Sequence, residues 1–252
     1  MYTKDMLIKA IRSIGVKSDD LLTVHTSLKA IGEIDTHEKS GAEVVIDALK
    51  SCVNDGLLMI PSHTFRNVIE DGPIFNVRET KPCIGVMPCV AVEMANRAAD
   101  NGDNTCIRSL HPSHSIVAFG KNAKEFAELD RSSRTKNPMT GCYGKLYHDN
   151  GKILLLGVDL TSNTFIHAVD EFLDSTVYKT LNVKMTDYFG SSWQQDLNLT
   201  GGPGSSTFER YAKALEEAGA VTYGKIGDAD SRLIDARKCF QVVEKIRRSE
   251  ME

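Results

Sequence analysis

Apolar residues along this chain gather in short runs closed by polar ones, and three runs read as buried strands. They are Leu21 to Val24 ahead of His25, Leu57 to Ile60 ahead of Pro61 and His63, and Ile153 to Val158 ahead of Asp159. Between the first two, Val44, Val45, Ile46, Ala48 and Leu49 recur at helical spacing within Gly41 to Val53. Strand, helix and strand in that order make a βαβ unit whose crossover is expected to be right-handed. A fourth strand is expected at Ser115 to Phe119, closed by Gly120 and followed by a helix through Ala123 to Leu129. Helical spacing also marks Val86 to Ala99 and Phe208 to Ala218, the latter ended by Gly219 as a C-cap. Near the start, Leu7, Ile8, Ile11 and Ile14 share one helical face, as in a surface helix packed on a core. The stretch from Asn182 to Gly204 is richer in polar residues, Ser and Gly, and reads as a hairpin with loops. These elements predict an α/β fold with a mixed or mainly parallel central sheet flanked by helices, residues 1–252 forming a single domain.

Composition narrows the function classes. With 41% hydrophobic and 25% charged side chains over 252 residues, the chain is in the ordinary globular range and can bury a substantial core. No segment reads as a targeting leader or membrane span, so a soluble cytoplasmic protein with no membrane partner is expected. Six cysteines without a CxxC pair or secretory context read as reduced thiols, not as a zinc knuckle or disulfide framework. A net charge of −4, with no basic run beyond Lys245, Arg247 and Arg248, gives no electrostatic footprint for nucleic acid.

Three polar clusters follow or precede the strands. The loop from His25 to Gly32 leaves a strand's carboxyl end, where α/β sheets place ligands and where loop N–H groups and hydroxyls can receive phosphate. The same Ser, Thr and Gly composition also makes an ordinary turn. The run from Arg108 to Ser115 sets His111 and His114 three residues apart beside an Arg and hydroxyls. It can bind a polar ligand or move a proton, or its Arg and His can satisfy buried carbonyls; both readings stand. In the third cluster, a helix opened by Thr164 places His167 and Asp170 on one face at i and i+3. A carboxylate beside an imidazole holds its tautomer and stabilises the imidazolium, as a general base requires; a satisfied core histidine is the equal alternative. Cys142 lies in a Gly-rich loop with no activating base near it in sequence, which argues against a cysteine nucleophile.

The landmarks together resemble the aminoglycoside 3-N-acetyltransferase, or antibiotic N-acetyltransferase, family over nearly the whole chain. His25 to Gly32 is similar to its His-Thr/Ser-Ser-Leu loop ending in Ile-Gly, and Gly41 to Leu49 to the helix that follows. Gly56 to Pro61, Phe75 to Pro82 with Gly85, and Arg108-Ser109, His111-Pro112 and Ser115 match further landmarks in order. So do Gly144-Lys145-Leu146, Ile153 to Val158, the Thr164, His167 and Asp170 motif, and Gly227, Ala229, Arg232 and Leu233. The chain departs from the family at Asn76, which stands where Asp is usual, at Asp170 in place of Glu, and in lacking a tryptophan-rich stretch before Phe75.

The resemblance implies an antibiotic N-acetyltransferase-like fold, distinct from the GNAT fold, and direct transfer of acetyl from acetyl-CoA to an amine without a metal. It implies His167 as general base oriented by Asp170. Ser27, Leu28, Lys29 and Gly32 would line the coenzyme's phosphate and pantetheine path, with His111 and Ser115 at the thioester end. A cationic aminoglycoside requires acidic or polar contacts, for which Glu70, Asp71, Asn76 and Glu171 are the candidates. Its expected reaction is at the 3-amino group of the 2-deoxystreptamine ring, giving antibiotic resistance, in a monomer or a homodimer. Rivals are an acetyltransferase of the same fold for another small amine, a coenzyme-binding protein without activity, and a metal-dependent hydrolase using His25, His63, His111, His114 and Asp170.

Overall fold

The computed structural model describes residues 1–37, 39–66, 73–132, 140–173, 176–200 and 204–252. Its strands in chain order are β1 (Leu21–Thr26), β2 (Leu57–Pro61), β3 (Ile74–Asn76), β4 (Cys106–Arg108), β5 (Ile116–Phe119), β6 (Lys152–Leu156), β7 (Val177–Thr186), β8 (Ser192–Thr200), β9 (Val221–Ile226) and β10 (Ala229–Asp235). The helices are α1 (Lys4–Ser13), α2 (Leu28–Ile31), α3 (Gly41–Cys52), α4 (Val86–Asp100), α5 (Ala123–Glu128), α6 (Gly141–His148), α7 (Thr164–Leu173), α8 (Ala212–Glu217) and α9 (Ala236–Met251).

Seven strands form the central sheet in the order β4-β5-β2-β1-β6-β10-β9. Parallel pairing is confined to β2-β1-β6, where Leu22 faces both Leu58 and Lys152; the β5-β4 and β10-β9 additions on either side are antiparallel. The sheet is therefore mixed, and the mainly parallel alternative does not describe it. The runs legible as apolar are the central strands, whose residues are buried on both faces, as in Leu57–Pro61. β9 is exposed at Thr222, Tyr223 and Lys225 and carries no such run.

Strand alternation divides the core into two layers. Leu22, Val24 and Leu58 pack under α1, α3 and α4 through Leu7, Ile11, Val45, Leu49 and Ala91. Ile153, Leu155 and Met59 face α6, α7 and α9 through Leu146, Phe165, Val169, Phe240 and Val243. The helix beginning at Gly41 is fixed by a capping box in which Ser40 and Glu43 satisfy each other's backbone N–H. The hairpin expected within Asn182 to Gly204 starts five residues earlier, at Val177, and joins β3 in a separate sheet ordered β3-β7-β8. The expected helix from Phe208 divides into a 3-10 turn over Ser205–Tyr211 and α8. No described helix is long and apolar enough to cross a membrane.

Candidate active site

The carboxyl ends of β1, β2 and β6 open onto a cavity of about 420 Å³ whose wall includes Thr26, Pro61 and Val158. This is where a sheet with parallel central strands leaves a crevice for ligands. Four imidazoles border it: His25, His63, His114 and His167.

His167 enters from α7. Asn163 opens that helix, its Oδ1 accepting from the Phe165 N–H at 3.2 Å, and the helix face then carries His167 and Asp170 on successive turns. His167 Nδ1 lies 4.0 Å from Asp170 Oδ2, a charge contact longer than a hydrogen bond. The imidazole is 29% exposed and the carboxylate 2%, so the ring reaches the cavity while the acid stays behind it. Phe208 meets the imidazole edge-on with centroids 4.7 Å apart and restricts its rotation. Behind Asp170 stands Arg247 of α9, whose Nε donates to Oδ1 at 3.1 Å. Arg247 also donates to Glu250 at 2.9 Å. A buried carboxylate requires such a partner, and the cation comes from the terminal basic cluster, to which the sequence assigned no role.

The loops bearing the other histidines are stitched together. Ser62 N–H donates to Ser115 O and Thr64 N–H to Ser113 O, both at 2.8 Å. His63 Nε2 bonds the Tyr143 hydroxyl at 2.9 Å, and its ring meets His114 edge-on at 4.8 Å. Burial pushes the Tyr143 phenol well above its ordinary pKa, so this partner is uncharged. Arg108 is fully buried and donates to the carbonyls of Val77, Thr80 and Ser62 and to Ser115 Oγ. Desolvation lowers its pKa to about 10. Of the two readings of the Arg108 cluster, satisfaction of buried carbonyls is the one realised for Arg108.

The expected site residues are distributed unevenly around this cavity. His167 borders it with Asp170 behind. Ser27, Leu28, Lys29 and Gly32 lie on the turn after β1 and in α2, and the wall includes the preceding Thr26. Ala30 of the same turn borders an adjoining pocket of about 620 Å³, which shares Val158 and Ser162 with the first. Gly157 separates the turn from β10: with φ +68°, an added Cβ would lie 2.5 Å from Ala30 Cβ.

His111 and Ser115 are set back from the wall. His111 Nδ1 accepts from the N–H groups of Ser113 and His114, and Ser115 Oγ donates to Ser62 O. Asn76 sits in β3 and ties its own turn, bonding Glu79 and the Arg78 N–H, away from the cavity. Glu171 is half-buried on α7 outside the wall, while Glu70 and Asp71 lie outside the described residues. The ligand set of the metal-hydrolase rival does not assemble: among the described residues no three His, Cys, Asp or Glu side chains are placed to hold an ion. Cys142 is buried, donates to Phe126 O, and is pushed well above its ordinary pKa by desolvation and by Asp130.

Comparison with known proteins places this arrangement. The family model described as aminoglycoside 3-N-acetyltransferase matches residues 23–247. The chain belongs to that family. It is 27% identical to aminoglycoside N(3)-acetyltransferase III of Salmonella sp, the alignment covering 94% of this chain and 88% of the relative. The crystal structure of the YokD protein from Bacillus subtilis superposes with a TM-score of 0.80 at 22% identity, covering 97% of this chain and 93% of that one. The structure of AAC-IIIb in binary complex with CoASH has a TM-score of 0.79 at 19% identity over 99% and 97% of the two chains. The shared fold is thus that of the aminoglycoside acetyltransferases.

Proposed function

We propose that this chain, acting as one domain over residues 1–252, transfers the acetyl group of acetyl-CoA to an amine of an aminoglycoside. The amine proposed is the 3-amino group of the 2-deoxystreptamine ring, modified in the cytoplasm to give resistance. The observation that carries this reading is the His167 imidazole at the cavity wall, backed by Asp170 and Arg247. An aliphatic amine is protonated at neutral pH and becomes a nucleophile on losing that proton, which His167 accepts. Asp170 stabilises the resulting imidazolium. The Ser27 to Gly32 turn is the proposed path of the coenzyme, continuing into the adjoining pocket bordered by Ala30 and Arg232. Support comes from the names of relatives, among them the N(3)-acetyltransferase III of Salmonella sp and the CoASH complex of AAC-IIIb.

A second acceptor class is favoured by one feature: among the described residues, no carboxylate borders the main cavity. A polycationic sugar demands negative partners, so a smaller amine of lower charge also fits. A thiol-release assay with acetyl-CoA against a panel of aminoglycosides and simple amines tests both. Release with aminoglycosides is the expected result; release with simple amines alone replaces the acceptor, and acetyl-CoA that neither binds nor reacts overturns the reading.

A further inference from the structure

His25 ends β1 and pairs in register with Leu155 of β6, which packs with Phe165 and Ile166 of α7. Register partners on neighbouring strands share a face, so His25 projects towards the helix that carries His167. Its residue surface is 8% exposed, and it borders the cavity. Nε2 is enclosed without any hydrogen-bond partner, whereas Nδ1 is not enclosed in that way. A neutral imidazole has one N–H and one lone pair, and an enclosed orphan is better tolerated as a lone pair than as an N–H. The proton therefore belongs on Nδ1. Desolvation lowers the pKa of the ring to about 4, which keeps it uncharged at neutral pH.

Acetyl transfer needs a donor for the thioester oxygen, and several donors of the surrounding loops are already engaged. Ser27 N–H donates to Leu156 O at 3.0 Å, His63 Nε2 is bonded to Tyr143, and Ser115 Oγ donates to Ser62 O. We infer that His25 is a catalytic residue, its Nδ1–H donating a hydrogen bond to the thioester carbonyl oxygen as that oxygen takes on negative charge. The inference rests on the acetyl-transfer reading proposed for this site.

As the amine nitrogen bonds to the carbonyl carbon, the C=O π pair moves onto oxygen, where His25 holds it. His167 takes the amine proton. Return of the pair re-forms C=O and breaks the C–S bond, and the departing thiolate receives the proton from His167. The products are the amide and the free coenzyme thiol, and His25 ends as it began.

Infrared difference spectra of ¹³C-carbonyl acetyl-CoA bound to the enzyme test this without an acceptor. The carbonyl stretch is expected at lower frequency in the wild type than in His25→Phe, which keeps a ring and removes the donor. Turnover of His25→Phe with an active amine should fall roughly 10²–10³-fold, the size of one lost oxyanion donor, with little change in coenzyme Kd. If that variant fails to fold, His25→Ala with free imidazole in the buffer replaces it, and recovery of turnover is expected. Bound acetyl-CoA with the same carbonyl frequency in wild type and variant, or no rescue by imidazole, overturns the role of His25 alone. Failure of the wild type to bind acetyl-CoA overturns the acetyl-transfer reading and this role with it.

Discussion

Arg247 and Asp170, on α9 and α7, are joined by a 3.1 Å hydrogen bond from Nε to a carboxylate that is 2% exposed. The consequence is measurable as stability. Arg247→Leu should lower the unfolding free energy by about 1.5–3 kcal/mol, the range for hydrogen bonds to charged groups. A fully buried pair would lose more, but the Arg247 side chain is 23% exposed. Urea midpoints of wild type, Arg247→Leu and Arg247→Lys check this, with the lysine variant expected between the other two. An unchanged midpoint for the leucine variant would show that Asp170 does not depend on Arg247.

His167→Gln should reduce turnover by roughly 10²–10⁴, the usual contribution of a general base, while leaving coenzyme affinity nearly unchanged. Asp170→Asn should be milder, because an amide keeps the shape next to the imidazole but loses the charge that favours its protonated form. Melting temperature and turnover are measured on the same samples. A folded His167→Gln enzyme with normal turnover would move the base elsewhere in the cavity.

Acid should weaken the fold through His25, whose pKa lies at about 4 in the folded chain against an ordinary 6.5 because burial disfavours the charged ring. Between these values the unfolded chain binds the extra proton, so stability rises with pH across that window. The contribution is whole above 6.5 and is lost as pH falls towards 4. From pH 7 to pH 5 the loss is about 2 kcal/mol. Urea titrations at both pH values should show this loss in the wild type and a smaller one in His25→Asn, which cannot titrate there. Parallel losses in the two proteins would contradict it.

Cys142 should be chemically silent. It is buried, and desolvation together with Asp130 holds its thiol well above the ordinary pKa, so the reactive thiolate is scarce. Iodoacetamide applied to the native protein should leave Cys142 unlabelled by mass spectrometry, and Cys142→Ala should retain turnover. Rapid labelling coupled to loss of activity would restore the cysteine nucleophile.

The central strands and the α7 motif were legible because burial on both faces makes β1, β2 and β6 continuous apolar runs and because His167 and Asp170 sit at helical spacing. The antiparallel edges were not. β9 is exposed at Thr222, Tyr223 and Lys225 and holds no apolar run, and β3 and β4 are three residues each, too brief to set up a period. Arg247 was visible only as part of a terminal basic cluster, since its partner is 77 positions away. In sequence His25 reads as a loop residue and a candidate ligand of the metal-hydrolase rival. Its enclosure is a property of the packed sheet that no local spacing encodes.

The distance in sequence between Asp170 and Arg247 also sets an order in time. Synthesis delivers β1, β2, β6 and α7 before it delivers α9, so a growing chain holds His167 and Asp170 while the cation that orients the acid has yet to be made. Until Arg247 is translated, that carboxylate lacks the guanidinium that lets it stay buried. Docking of α9 on α7 is therefore the step at which the histidine gains its oriented acid.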